Sequence, residues 1–250
     1  MCGRYFFDDD GNAIAQVFTV RTPKDPLKPR YNIAPTQLAP VIRCVRDVEH
    51  DVGHDVGHDE GKSRELAMLR WGLVPHWAKD VKIGSSMINA RDINSDGRSI
   101  DKSPAFGHPF KKQRCLVPAS GFFEWQPMEP GRKQPHAIRL LNEPLFAMAG
   151  LYTYWHGKVK DEDADLQTYT IITCEPNELL APFHNRMPVI LPREHWDAWL
   201  DPDNQDVEAL KKLLRPYPAE EMMTFAVGTA VGNVKSDDAS LIQAKKTMEQ

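Results

Sequence analysis

The residue with the most distinctive chemistry in this chain is Cys2, which directly follows the initiator methionine. If Met1 is removed, Cys2 carries an amine with a pKa of roughly 7.7–8.0 and, on the adjacent carbon, a thiol with a pKa of about 8.5. Such an aminothiol condenses with an aldehyde to an imine, and the thiol then closes on the imine carbon to give a stable thiazolidine. An N-terminal cysteine can also act as an acyl-transfer nucleophile with its own amine as the base, so a peptidase is the alternative.

Three further polar groups could take part in such chemistry. Glu124 lies in the aromatic stretch GFFEWQ, where burial would raise its carboxyl pKa as a proton carrier requires, unless it faces water on an edge strand. His184 precedes the apolar stretch RMPVIL and is either an acid–base group or a hydrogen-bonded structural histidine. Asn89 and Arg91 in MINARDI share a face if that segment is extended, although such pairs also cap turns.

Basic and aromatic residues are mixed along several of the same segments. Cations hold phosphates and aromatic faces stack on bases, so the mixture suits a single-stranded nucleic acid, although the tryptophans could equally form core. The net charge of −4 lacks the usual basic footprint of a nucleic-acid binder, but acidic loops can mask a local basic groove. The residues in question are Arg4, Tyr5, Phe6, Arg70, Trp71, Trp77, Arg91, Lys111, Lys112, Arg114 and Arg186.

Length and composition indicate a globular protein with one large domain or two small ones. The 250 residues are 41% hydrophobic and 26% charged, which is near the globular average. No run of about 18 apolar residues predicts a membrane span, and the charged first residues do not resemble a secretory signal. The four cysteines are far apart and form no CxxC pair, which indicates reduced thiols in an intracellular setting.

Short apolar runs between turn residues predict many strands and fewer helices. Because the helices do not alternate regularly with the strands, the sequence predicts an α+β fold with a mixed, largely antiparallel, barrel-like sheet. Strands are expected in LAPVIRCV, LAMLRWGLV, RCLVPASGFFEW, HAIRLL, PLFAMAGLYTYW, TYTIITC and RMPVILP, and helices in NAIAQVF, EPNELLAPFH, PREHWDAWL and DVEALKKLL.

Two polar segments interrupt this pattern. Residues 49–61, EHDVGHDVGHDEG, are expected to form a solvated loop inserted between strands, although their histidines and carboxylates could ligate a metal. Residues 156–167 are expected to form an exposed hairpin turn.

Seven ordered motifs resemble those of the SRAP (SOS response-associated peptidase) family: MCGRYF, YNIAPTQ, RWGLVPHWAKD, INARD, RCLVPASGFFEW, HNRMPVIL and AVGNVKSDDASLI. The resemblance implies a single α+β domain over residues 1–250, with a barrel-like core, peripheral helices and a tail from residue 243. It also implies a positively charged cleft for single-stranded DNA. Members of the family capture the ring-opened aldehyde of an abasic site as a thiazolidine, which shields the lesion in the DNA damage response.

The resemblance also assigns roles to individual residues. The implied catalytic residues are Cys2, Asn89, Glu124 and His184, and the implied DNA contacts are Arg4, Trp77, Arg91 and Arg186. The family name implies autoproteolytic release of Met1, and an imine intermediate would permit a lyase side reaction. The sequence departs from the family after Arg91, where INARDINSD replaces a small residue or valine followed by Glu and Thr.

The expected setting follows from the same resemblance and composition. We expect a monomeric, cytoplasmic and nucleoid-associated bacterial protein that acts on single-stranded DNA containing abasic sites, without a cofactor, a metal or a membrane. A non-enzymatic single-strand-binding module is a further alternative, in which the arginines would matter for DNA retention and Cys2 would not.

Overall fold

The computed structural model describes residues 2–21, 27–46, 62–93, 97–129 and 131–245. The predicted insertion at 49–61 therefore lies outside the described residues, as does the end of the tail at 246–250. The strands are β1 (Tyr5–Phe7), β2 (Arg30–Ile33), β3 (Leu38–Arg46), β4 (Lys62–Trp71), β5 (Asn89–Arg91), β6 (Arg114–Ala119), β7 (Gly121–Pro127), β8 (Lys133–Leu140), β9 (Phe146–Val159), β10 (Glu162–Cys174), β11 (Met187–Pro188), β12 (Ile190–Leu191) and β13 (Met222–Ala226). The helices are α1 (Gly11–Phe18), α2 (Gly107–Lys112), α3 (Trp196–Leu200) and α4 (Val207–Lys212), and short 3₁₀ turns connect several elements.

Five of these strands close into a barrel. Neighbouring strands follow the order β10, β4, β3, β6 and β9, and β9 pairs again with β10. The pairs are antiparallel except for β10 with β4, and β5 is also parallel to β10. Because the pairings close on themselves, β9 and β10 each have a barrel strand on both sides. The predicted α+β class with a largely antiparallel, barrel-like sheet is confirmed.

The predicted hairpin at 156–167 is the turn between β9 and β10. Lys160 and Asp161 have φ angles of 52° and 68°, and the pairing of Val159 with Glu162 leaves them as the two turn residues. Positive φ at both central positions is the geometry that matches the right-handed twist of the strands in a tight hairpin. The turn therefore fixes the register of the longest pair of barrel strands.

A second sheet packs beside the barrel and carries the amino terminus. Its order is β13, β8, β7, β1 and β2. Tyr5 of β1 lies opposite Phe122 of β7, and its hydroxyl is 2.7 Å from the hydroxyl of Tyr169 on β10. The ring of Tyr5 also packs edge-on against Trp71 at 5.2 Å. These contacts attach the start of the chain to the barrel.

The motif AVGNVKSDDASLI has a structural task at the end of the described chain. The carboxylate of Asp237 accepts the backbone N–H of Asn32 at 3.0 Å. The side chain of Asn32 in turn donates to the carbonyls of Val231, Asn233 and Ser236 at 3.2, 3.0 and 2.8 Å. Because Asn32 is fully buried, these bonds offset its desolvation and fasten the C-terminal segment to β2.

Two glycines let the connection between β4 and β5 fold tightly against the barrel. Gly72 has φ of +117°, a conformation that L side chains rarely adopt. A Cβ on Gly84 would lie 2.6 Å from the carbonyl oxygen of Gly72, so the two backbones approach too closely for any side chain. This approach returns the chain to β10, where Asn89 pairs with Ile171.

The helix predicted over EPNELLAPFH is not formed, so this prediction is wrong. Residues 178–183 form successive turns, in which Leu180 and Ala181 donate to the carbonyl of Asn177 at 3.1 and 2.9 Å. Pro182 has no N–H for a helical bond, and the side chain of Asn177 accepts from Leu180 N at 3.0 Å. NAIAQVF and DVEALKKLL form helices within one or two residues of their expected bounds. PREHWDAWL forms a 3₁₀ turn followed by the short helix α3, and RMPVILP gives two very short strands.

Candidate functional site

Cys2 is completely buried just before β1. Its thiol points toward the carbonyl of Arg4 at 3.9 Å, and its own carbonyl accepts a hydrogen bond from Nδ2 of Asn89 at 3.0 Å. Burial, followed by the negative charge of Glu124, raises the pKa of the Cys2 thiol well above its usual range. The thiol is therefore protonated at neutral pH in this environment.

Glu124 is the charged residue that has the largest electrostatic effect on the Cys2 thiol. It lies on β7 with only 4% of its surface exposed, and burial raises its pKa to about 7. A carboxyl with such a pKa exchanges a proton readily near neutral pH, as a general acid or base must. Of the two environments that the sequence left open for Glu124, the structure shows the buried one.

His184 lies at the end of the turns that follow β10. Its Nδ1 accepts a hydrogen bond from the backbone N–H of Arg186 at 3.1 Å. The neutral ring therefore carries its proton on Nε2. Burial, together with nearby positive charge that includes Arg186, lowers the pKa of His184 to about 4. His184 is consequently a neutral hydrogen-bonding group at physiological pH.

Three arginines lie near Cys2, Glu124 and His184. They are Arg4, Arg91 and Arg186. Burial, and then the positive charge of Arg91, lowers the pKa of Arg186, so the two guanidinium groups repel each other at close range. The buried Nε atoms of Arg4 and Arg186 have no hydrogen-bond partner among the described residues, and neither does the buried Oδ1 of Asn89. Neighbouring guanidinium groups with unmade N–H hydrogen bonds are the features of a site for an anion, whereas Oδ1 of Asn89 is an acceptor and would bind a donor.

The predicted stacking residue, Trp77, lies on the connection between β4 and β5. Its indole is 49% exposed, and its N–H donates to the carbonyl of Pro104 at 3.3 Å. This bond fixes the ring with aromatic surface open to solvent. Trp71 in contrast is fully buried and belongs to the core.

The prediction that Arg114 contacts a nucleic acid is wrong. Its side chain is 2% exposed and donates to backbone carbonyls, among them those of Trp199 at 2.6 Å and Phe110 at 2.7 Å. It therefore holds α2 and α3 against the barrel.

One residue that the sequence reasoning missed is His136, which lies directly opposite Glu124 across β7 and β8. The alternation of the segment KQPHAI could have placed it on the same face.

The fold and the site define a class of barrel proteins with a buried cysteine near the amino terminus, close to a buried carboxyl group and to arginines. The chain belongs to the SRAP family, because the family described as SOS response associated peptidase matches residues 1–234. The resemblance seen in the sequence is thereby confirmed. In the described residues, no helix has the length and apolar character needed to cross a membrane.

Several relatives cover nearly the whole chain. The abasic site processing protein YoqW of Bacillus subtilis is 38% identical over 246 residues, which are 98% of this chain and 100% of that protein. YoaM of the same organism, also an abasic site processing protein, is 39% identical and covers 99% of this chain and 100% of its own. HMCES of Gallus gallus, with the same description, is 32% identical over 84% of this chain and 64% of its own.

A solved structure has the same fold. A crystal structure of a protein from Bacteroides thetaiotaomicron superposes with a TM-score of 0.78 at 25% identity, and covers 98% of this chain and 100% of that one.

Proposed function

We propose that this protein captures abasic sites in single-stranded DNA by forming a thiazolidine with Cys2 after removal of Met1. The observation that carries the proposal is the contact of Asn89 with Cys2, beside a carboxyl group, Glu124, with a pKa of about 7. The relatives described as abasic site processing proteins support the same substrate. The reaction shields the lesion during the DNA damage response, at the bacterial nucleoid.

The chemistry proceeds in two bond-forming steps. The sugar of an abasic site opens to an aldehyde, and the Cys2 amine adds to that carbon and expels water to form an imine. The thiol sulfur then bonds to the imine carbon, and its proton passes to the nitrogen. Because burial keeps the thiol protonated, attack by the amine comes first and ring closure by sulfur second.

Glu124 is the group best suited to move the protons in these steps. Near pH 7 it is present in both protonated and ionised forms, so it can donate to the leaving oxygen and then accept from the thiol. His184 stays neutral and presents its Nε2 proton as a hydrogen-bond donor to a sugar oxygen. Asn89 orients Cys2 by holding its carbonyl.

The arginine rim supplies the DNA contacts in this proposal. Arg4, Arg91 and Arg186 bind backbone phosphates, and Trp77 stacks on a base. A single strand is favoured because the reacting carbon must leave the stack, which costs least where the base and its pairing partner are absent. The protein acts as a monomer.

Two side reactions use the same groups. An imine that is not closed by sulfur acidifies the neighbouring hydrogens of the sugar and permits β-elimination of the 3′ phosphate, which is a lyase reaction. The family description names a peptidase, and we restrict that role to the bond between Met1 and Cys2, whose cleavage frees the amine.

The proposal is tested with three oligonucleotides of the same sequence. One carries a true abasic site, one carries a tetrahydrofuran analogue that cannot open to an aldehyde, and one is intact. We expect a heat-stable adduct on a denaturing gel with the first oligonucleotide only. Equal adduct formation with the tetrahydrofuran analogue would refute aldehyde capture.

The salt dependence of binding tests the arginine rim. We expect Arg186→Gln to weaken binding of tetrahydrofuran-containing single strands and to reduce the log–log salt slope by about 0.7, because one phosphate contact is lost. Fluorescence anisotropy between low and moderate salt measures this slope. Arg193→Gln is the matched control, since Arg193 is ion-paired with Glu143 at 3.3 Å. An unchanged slope for Arg186→Gln removes Arg186 from the DNA contacts.

A further inference from the structure

His136 is a titratable residue beside the site for which the reaction steps above have no use. It lies on β8 directly opposite Glu124 in the antiparallel pair with β7. Directly opposite residues in such a pair project from the same face of the sheet, with Cβ atoms roughly 5 Å apart. His136 therefore projects from the face of the sheet that presents Glu124 to the cluster.

Two contacts fix the ring of His136. Its Nδ1 lies 3.3 Å from the hydroxyl of Thr224 on the neighbouring strand β13. The ring also packs against Phe183 with centroids 4.9 Å apart and an interplanar angle of 69°, which is the edge-to-face arrangement that aromatic rings prefer. Phe183 directly precedes His184 in the chain. His136 thus connects the strands of the Glu124 sheet to the segment that carries His184.

His184 needs such a support because no helix or strand holds it. The backbone N–H groups of Phe183 and His184 both donate to the carbonyl of Leu180, at 2.9 and 3.1 Å, and the ladder of β11 begins only at Met187. A turn of this kind is held at its start by Asn177, which bonds to Leu180 and to the carbonyl of Tyr217 at 2.7 Å. At its other end, the side chain of Phe183 is the buried anchor.

We propose that His136 is a positioning residue, which holds Phe183 in place and thereby sets the orientation of His184 relative to Glu124. The effect of His136 on the crosslinking rate rests on the proposed function, whereas its effect on the orientation of His184 does not. The imidazole acts through the packing of its ring on Phe183, and it carries no proton of the reaction. Burial also lowers the pKa of His136, so the ring that packs on Phe183 is neutral at physiological pH.

The first experiment follows His184 itself. In histidine-labelled protein, NMR titration gives the pKa of His184, with its resonance assigned from His184→Gln. We expect His136→Ala to raise that pKa from about 4 by about one pH unit, because a loosened turn exposes the ring to water. His136→Phe keeps the packing against Phe183 and should leave the pKa close to that of the native protein. His156→Ala, at an exposed histidine paired with Asp165, is the matched control and should change nothing.

The second experiment follows the reaction. In single-turnover crosslinking, we expect His136→Ala to lower the rate constant at saturating DNA by about tenfold with an unchanged half-saturating DNA concentration. His136→Phe should restore the rate. Equal losses in His136→Phe and His136→Ala would show that packing of the ring on Phe183 does not account for the effect and would overturn the proposal, as would a native pKa of His184 in His136→Ala.

Two further outcomes are distinguishable. If His136→Ala does not fold, Phe183→Leu removes the same ring contact from the other side and should give the same rise in the pKa of His184; no rise overturns the proposal. If the native protein forms no adduct, the proposed function fails, and the NMR titration still decides whether His136 positions His184.

Discussion

Replacing Cys2 with alanine should abolish the heat-stable adduct with abasic DNA while leaving DNA binding intact. The alanine variant keeps a free amine after Met1 removal and can still form an imine, but it has no sulfur to close the ring. Imines hydrolyse in water, so the covalent product should fall to the level seen with intact DNA. The loss is complete because the bond that makes the product stable is the one from sulfur to the sugar carbon. Denaturing gels and intact mass measure it.

Two controls separate the parts of this expectation. Cys44→Ala removes a different, half-buried thiol, which lies on β3, and this variant should crosslink like the native protein. One alanine inserted before Cys2 retains the thiol but moves the free amine to another residue, and it should be as inactive as Cys2→Ala. Cys2→Ala should also increase strand cleavage, since its open imine can undergo β-elimination. A native yield of adduct from either inactive variant contradicts the thiazolidine.

Part of the site could be predicted from sequence because its residues lie in short motifs with local meaning. Asn89 and Arg91 were expected on one face of an extended segment, and β5 is a strand. The aromatic neighbours of Glu124 left a buried site and a water-facing edge strand both open, and the residue is buried. His184 was expected just before an apolar strand, and it is found there. In each case the prediction came from the alternation of side chains along a strand or from an apolar stretch beside the residue.

The remaining features depend on contacts between distant segments, which no local pattern specifies. The helix predicted over EPNELLAPFH had suitable apolar spacing, but Pro182 and the side chain of Asn177 favour turns instead. Arg114 was grouped with DNA-binding cations, yet two of the carbonyls that it binds, those of Trp199 and Asp201, are more than eighty residues away in the chain. Closure of the barrel requires β9 and β10 to pair with each other and with separate partners, and only the hairpin between them is local.

Cys2 and Glu124 are both buried, and this burial changes the protonation of both groups. Burial opposes the charged form of the thiol and of the carboxyl, so both are held neutral more often than in water. In the proposed function, the neutral thiol gives its proton to the carboxyl of pKa about 7 only once an imine has formed. In the proposed function, the positive charge of Arg4, Arg91 and Arg186 binds the phosphates of the DNA backbone.

Glu124→Gln should lower the crosslinking rate by about 10²–10⁴-fold and at the same time stabilise the protein above neutral pH. The rate falls because an amide cannot exchange a proton in these steps. The stability rises because the native carboxyl has a pKa of about 7 when folded and roughly 4.3 when unfolded. Between these values the folded state binds more protons than the unfolded state, so the stability of the native protein falls as the pH rises from 4.3 to 7.

The size and the pH window of this effect make it measurable by urea denaturation. Glutamine resembles the neutral carboxyl, so we expect Glu124→Gln to match the native protein near pH 4 and to exceed its free energy of unfolding by about 3 kcal/mol at pH 8. Glu220→Gln, at an exposed carboxyl, is the control and should show no such divergence. A stability difference between Glu124→Gln and the native protein that stays constant from pH 4 to 8 would show that Glu124 does not carry a raised pKa, and the proton transfers would then have to be assigned to another group.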